Sequence, residues 1–245
     1  MTTEENGPIF LSGVSRGLGH GLAQWYLDRG RTLYGCSRSD PPSDLVERYG
    51  DRFHWAAIDL SDAVEGPRAL QAFCGQVPSW DLLILNAGVL GTIADMLEAD
   101  LAEMRTTMEI NVWANKWILD KLLSASDGVR QVVGISSGAS VSGSRGWNGY
   151  SLSKAALNML IKLYATEFPD THFSAFAPGL IDTAMQEYIS SIEDDAPFST
   201  VRRLKAARGT EDMPDPGAAA EAIAPVLAQL PSSVQSGDYT DIRSM

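Results

Sequence analysis

This chain of 245 residues is short of the side chains that build metal centres, disulfide frameworks and nucleic-acid surfaces. Its two cysteines, Cys36 and Cys74, are too few for a disulfide scaffold and read as buried or half-buried thiols in a reducing compartment. The three histidines, His20, His54 and His172, are scattered without metal-ligand spacing. No metal site and no Ser-His-Asp hydrolase is therefore expected. Lysine and arginine number 19 against 31 acidic residues, a net charge of −12. Nucleic-acid binding runs on basic side chains, so this balance argues against that partner and against an anionic membrane surface. No apolar run approaches the roughly 20 residues needed to span a bilayer. The opening MTTEENGP is polar and acidic, unlike a secretory signal. Repeats, low-complexity tracts and interdomain linkers are missing too. These absences point to a cytoplasmic protein made of one domain over residues 1–245.

What is present is a regular alternation. Short apolar runs that read as strands recur at 9–12, 32–36, 53–58, 82–85, 131–136, 173–177 and 237–240. Helical stretches separate them, the βαβ alternation of a parallel sheet. The length suits one domain. The expected fold class is α/β: a doubly wound parallel sheet of about seven strands flanked by helices. The least regular stretch is 180–216, broken by Pro197, Gly209, Pro214 and Pro216. Irregular segments longer than about 12–15 residues inside compact domains usually carry a function. This one reads as a lid-like substrate loop holding short helices.

Three groups of residues carry chemistry. Ile9, Phe10 and Leu11 lead into SGVSRGLG at residues 12–19, after which Leu18, Leu22, Trp25 and Tyr26 form one helical stripe. Glycines thus bridge a strand end and a helix start. Gly13 permits a sharp turn, and Gly17 and Gly19 allow close approach of backbone to a ligand and of helix to sheet. The helix start suits a pyrophosphate. Tyr150 and Lys154 lie four residues apart in GYSLSKAAL, so they share one helix face. A tyrosine with a pKa of about 10 needs a nearby cation to exchange protons at neutrality. Ser137, thirteen residues before Tyr150, ends the apolar run VVGIS.

The glycine spacing G-x-x-x-G-x-G, together with Ser137, Tyr150 and Lys154, resembles the short-chain dehydrogenase/reductase family. LLILNAG at 82–88 is similar to that family's strand followed by Asn-Asn-Ala-Gly, with Leu85 replacing the first Asn; Asn86, Ala87 and Gly88 match. Asn111 in INVWA, Asp59 in AAIDLSD, and Pro178, Gly179 and Thr183 in PGLIDT also fall in the family's order. The resemblance runs from about Ile9 to Ile242. SSGAS, GWNGYSLSKAALN, PGLIDTAMQ and YTDIR narrow it to the benzil reductase and sepiapterin reductase-like branch, NADPH-dependent reducers of dicarbonyl compounds.

The resemblance implies a Rossmann fold binding NADP(H) through Gly13, Ser15, Arg16, Gly17, Leu18, Gly19, Asp59, Leu60, Asn86, Ala87, Gly88, Pro178, Gly179, Ile181 and Thr183, with Tyr150 and Lys154. Charge chooses between the two cofactors. An acid at the end of the second strand binds the 2′-hydroxyl of NAD, whereas arginine accommodates the 2′-phosphate of NADP. Here that strand ends in Ser37 and Arg38, and Arg16 lies in the glycine loop. The expected catalytic set is Asn111, Ser137, Tyr150 and Lys154. Tyr150 acts as proton donor, Lys154 lowers its pKa, Ser137 orients the carbonyl and Asn111 supports Lys154 through a water. Trp147 and Met185, with Ser137 and Tyr150, form the substrate pocket for a small carbonyl compound. The alternatives are an NADP-dependent alcohol or steroid dehydrogenase working in oxidation, or a non-enzymatic NADP(H)-binding regulator. The stretches 104–123 and 152–164 are apolar on more than one side, and in this family a second subunit usually covers them. A homodimer or homotetramer is expected.

Overall fold

The computed structural model describes residues 7–38 and 40–245; the polar opening at residues 1–6 lies outside the described residues. Seven strands form one sheet: β1 (Ile9–Ser12), β2 (Leu33–Ser37), β3 (Phe53–Ala57), β4 (Trp80–Leu85), β5 (Val129–Ile135), β6 (His172–Ala177) and β7 (Tyr239–Asp241). Their order is β3-β2-β1-β4-β5-β6-β7, and each neighbouring pair is parallel. Every strand expected from the apolar runs is present. The last runs from Tyr239 rather than from residue 237: Gly237 turns the chain with φ of 91°, its N–H already donating to the Phe173 carbonyl at 2.8 Å.

Ten helices accompany the strands among the described residues: α1 (Gly17–Asp28), α2 (Ser43–Tyr49), α3 (Glu65–Cys74), α4 (Leu101–Met108), α5 (Ala114–Ala125), α6 (Ala139–Ser142), α7 (Asn148–Glu167), α8 (Ala184–Ser190), α9 (Ser199–Ala207) and α10 (Pro216–Ser233). A π-helical turn, Glu109–Trp113, joins α4 to α5. None of these helices is long and apolar enough to cross a membrane.

The strands are almost continuously apolar because helices cover both faces of the sheet. Side chains alternate between the faces. Ile9 and Leu11 of β1 enter one layer, with Leu22 and Leu27 of α1 and Ile223 and Leu227 of α10. Phe10 points the other way, into a layer with Ile118 of α5 and Leu157 and Ile161 of α7. Asp215 caps α10, accepting hydrogen bonds from the N–H groups of Gly217 and Ala218 at 2.8 and 2.9 Å. Pro216 follows as the first helical residue, where its missing N–H costs nothing.

The chain runs outward from β1 through β2 to β3, then crosses back to lay β4 on the other side of β1. That reversal opens a crevice at the carboxyl ends of β1 and β4, where sheets of this type bind ligands. The two ends are tied together. Ser12, fully buried, accepts from the N–H groups of Asn86 and Ala87 at 3.0 and 3.1 Å, while the Asn86 side chain donates to the Ser12 carbonyl at 2.9 Å. The irregular stretch 180–216 forms α8 and α9 above the ends of β5 and β6, so it does hold short helices.

Helix α1 sits unusually close to α10. A methyl at Gly21 would lie 2.2 Å from the Pro216 carbonyl oxygen, which is backbone and cannot step aside. Gly21→Ala is expected to destabilise the fold by about 1–3 kcal/mol through overpacking. Thermal unfolding checks this; an unchanged melting temperature would show that the α1–α10 contact is looser than described.

Candidate active site

The crevice is one cleft of about 870 Å³ along the carboxyl edge of the sheet. Successive strand ends feed it: Gly13 follows β1, Asn86 follows β4, Ser137 lies just past β5, and Pro178 follows β6. At the β1 end, Gly13 and Gly17 take φ of 79° and 60°, open to glycine and strained for other residues. A methyl at Gly19 would lie 2.1 Å from the Gly13 carbonyl and 2.5 Å from the Asn86 amide nitrogen. Only glycine fits there. No side chain caps the start of α1, and its first turn carries no acid. Its leading N–H groups and the positive end of its dipole are left for an anion.

At the β5 end, Ser137 and Tyr150 both line the cleft, near enough for the serine hydroxyl to act on the phenol. Tyr150 is nearly buried, and burial pushes its hydroxyl above the usual tyrosine value, against the downward pull of the Ser137 hydroxyl. Lys154 is one turn further along α7, with its Nζ 5.7 Å from the Tyr150 ring centre. Its ammonium donates to the Ile135 carbonyl at 2.7 Å. Burial brings its pKa down to about 8. A protonated tyrosine and a lysine that titrates close to neutrality are thus packed side by side.

Asn111 stands apart from the other sequence-derived site residues. It is fully buried behind the cleft wall, in the π-helical turn. Its amide accepts from the Val89 N–H and donates to the Val89 carbonyl, both at 2.8 Å, and donates to Ser153 Oγ at 2.9 Å. It clamps the loop after β4 onto α7. A methyl at Gly88 would meet Asn111 Oδ1 at 3.1 Å and Lys154 Nζ at 3.4 Å, so the glycine keeps a narrow gap between them.

The remaining sequence-derived residues line the cleft together: Ser15, Arg16 and Leu18 in the glycine loop, Ser37 and Arg38 after β2, Asp59 and Leu60 after β3, and Ile181 and Thr183 after β6. The Asp59 carboxyl is held below its usual range by the N–H and hydroxyl of Ser61. Ser37 Oγ accepts from the Trp55 indole at 3.0 Å. Trp147, buried, packs its ring 5.9 Å from that of Tyr150, and Met185 joins the same apolar cluster.

Sequence reasoning missed the polar lining contributed by α8 and α9, Tyr188, Thr200 and Arg203, and the Asp241–Arg243 ion pair. Helical spacing could have found the first: Thr200, Arg203 and Leu204 fall on one face of α9.

Comparison with known proteins agrees with this architecture. The model of the short chain dehydrogenase family matches residues 8–194. An uncharacterized oxidoreductase of Saccharomyces cerevisiae is 32% identical over 209 residues, 83% of this chain and 82% of its own length. The benzil reductase ((S)-benzoin forming) of Bacillus subtilis is 27% identical over 245 residues, covering 95% of this chain and 97% of its own. A crystal structure of a short-chain dehydrogenase/reductase from Saccharomyces cerevisiae superposes with a TM-score of 0.84 at 26% identity, covering 97% of this chain and 96% of that one. With the matched segment spanning the glycine loop, Ser137, Tyr150 and Lys154, this chain belongs to the short-chain dehydrogenase family and is one of its oxidoreductases.

Proposed function

We propose that the chain is an NADPH-dependent carbonyl reductase acting on diketones, with Tyr150 as the proton donor. The observation that carries this reading is the convergence of Ser137, Tyr150 and buried Lys154 in one cleft, with Lys154 Nζ 5.7 Å from the Tyr150 ring centre. A bound nicotinamide dinucleotide supplies the hydride that adds to a carbonyl carbon. The cleft fits such a group. The glycine loop leaves no side chain between backbone and ligand, the uncapped start of α1 suits a pyrophosphate, and Asp59, Leu60 and Pro178 to Thr183 bracket the rest.

The chain's own residues complete the chemistry. Ser137 donates a hydrogen bond to the carbonyl oxygen and stabilises charge as it builds there. Tyr150 gives its proton to the developing alkoxide. Burial keeps that proton on the phenol at neutral pH until the alkoxide forms. Lys154 places a positive charge beside the phenol, and Asn111 holds the wall against which Lys154 rests. Trp147 and Met185 offer an apolar, partly aromatic surface suited to aryl-bearing carbonyls. The benzil reductase of Bacillus subtilis and the sepiapterin reductase of Meriones unguiculatus, the latter 30% identical over 251 residues, support a dicarbonyl substrate.

For the cofactor, Arg16 and Arg38 line the cleft on either side of Ser37, and neither forms a salt bridge among the described residues. Two guanidinium groups with no acid at the end of β2 suit the 2′-phosphate of NADPH. We also propose a homodimer or homotetramer. Trp113, Leu152, Met159 and Leu163 are 46, 51, 56 and 53% exposed on the outer sides of the helices that carry Asn111 and Tyr150. A second copy burying that apolar face is its expected cover.

Tyr150→Phe should lower turnover by about 10²–10⁴-fold, the usual share of general acid catalysis, while NADPH binding read by fluorescence persists. In the wild type, Lys154 is charged below its pKa of about 8 and neutral above it. Reduction should therefore be level at lower pH and fall as pH rises through about 8. A Phe variant close to wild type, or a profile level to strongly alkaline pH, would overturn the assigned roles. Arg16→Ala with Arg38→Ala should reduce the preference for NADPH over NADH at least about tenfold, as the loss of charge-assisted hydrogen bonds requires. Unchanged preference would sink the cofactor assignment. Gel filtration at micromolar protein should give a dimer or larger; a clean monomer would rule out the shared helix face.

A further inference from the structure

The lid carries four basic side chains on or just after α9, and three of them hold it in shape. Arg202 donates to the Asp195 and Ala196 carbonyls at 2.7 and 2.6 Å. Lys205 pairs with Asp195 at 2.7 Å and donates to the Ile192 carbonyl. Arg208 donates to Asp182 at 3.0 Å and lies 3.7 Å from Glu187. Arg203 does none of this. Among the described residues it has no hydrogen bond, ion pair or ring contact, although Glu193, Asp194, Glu211 and Asp212 lie in the same lid. It faces the cleft instead. Thr200, one turn earlier, and Tyr188 of α8 line the cleft beside it, and their hydroxyls are likewise without partners among the described residues.

The position of these groups points to the substrate. Val201 and Leu204, which flank Arg203 on α9, belong to the apolar cluster that contains Trp147 and Tyr150. The phosphate-binding loop is reached by a different part of the lid: Thr183 is the residue packed over Gly17. Nor does any cleft acid pair with Arg203: Asp241 is taken by Arg243, and neither Asp59 nor Glu103 forms an ion pair with it among the described residues. In a chain of net charge −12, an arginine left unpaired over the substrate end of the cleft is a receptor for an anion.

We infer that Arg203, with the hydroxyls of Thr200 and Tyr188, binds a carboxylate on the substrate, remote from the carbonyl being reduced. The preferred substrate is an anionic ketone or diketone rather than a neutral one. This rests on the carbonyl-reductase reading above and sets the substrate class for that site.

The test compares kcat/KM for benzil with that for benzil bearing one para-carboxylate, using NADPH, in the wild type and in Arg203→Gln and Arg203→Lys. The wild type should prefer the carboxylated compound about tenfold, the worth of one charge-assisted hydrogen bond in a partly exposed site, and added salt should shrink that preference. Arg203→Gln should remove the preference and Arg203→Lys restore part of it. A wild type that reduces both compounds equally would overturn the inference and leave the carbonyl-reductase reading standing. No reduction of either compound by the wild type would count against both. A raised KM for NADPH in Arg203→Gln, with the substrate ratio unchanged, would assign Arg203 to the cofactor's phosphates and overturn the inference.

Discussion

The cleft depends on a small polar knot between two strand ends. Ser12 is fully buried, yet its hydroxyl takes two backbone N–H groups from the loop after β4, and Asn86 returns a hydrogen bond to the Ser12 carbonyl. Buried backbone groups must find partners, and a loop leaving a parallel strand has none in the sheet. The knot supplies them and fixes how far apart the two loops sit. Asn86 also presses against Gly19, so the glycine loop takes its shape from β4 as much as from its own sequence. The family resemblance marks Asn86 as a cofactor residue; its side chain is already committed to backbone, and what it offers a ligand is a correctly placed wall.

The other end of the cleft is organised by desolvation. Tyr150 and Lys154 both pay for burial, in opposite directions: the phenol holds its proton more tightly and the ammonium more loosely. Lys154 stays charged at neutral pH partly because Ile135, the last residue of β5, offers its carbonyl. The pair is therefore as rigid as the sheet. Its neighbours repeat this pattern, with Ser137 just past the same strand and Asn111 joining the loop after β4 to α7.

Much of this was legible in the sequence because parallel strands buried on two faces leave unbroken apolar runs, and because glycines with positive φ leave a spacing. All seven strands and the cleft-lining residues after β1, β2, β4, β5 and β6 could be read in that way. What could not be read is where side chains go once a helix is placed. Asn111 sits behind the wall rather than in the cleft, since its amide is occupied by Val89 and Ser153, far away in sequence. Trp113 and Trp117, one turn apart, divide: Trp113 is half exposed, while Trp117 packs against Gly66 of α3. The three self-paired cations of residues 180–216 are set by a fold of that segment that no periodicity announces.

The π-helical turn at Glu109–Trp113 has an effect on the long helical segment as a whole. One residue beyond α-helical count rotates everything after it by about 100° about the axis. Before the turn, Met104 of α4 faces Gly149 of α7; after it, Ile118 and Leu122 of α5 face the sheet and Trp117 faces α3. A single helix thereby serves two packing surfaces whose apolar stripes are out of phase. Removing one residue there would leave composition and helicity nearly untouched while turning one half's stripe toward solvent, so this segment tolerates substitution far better than any change in its length.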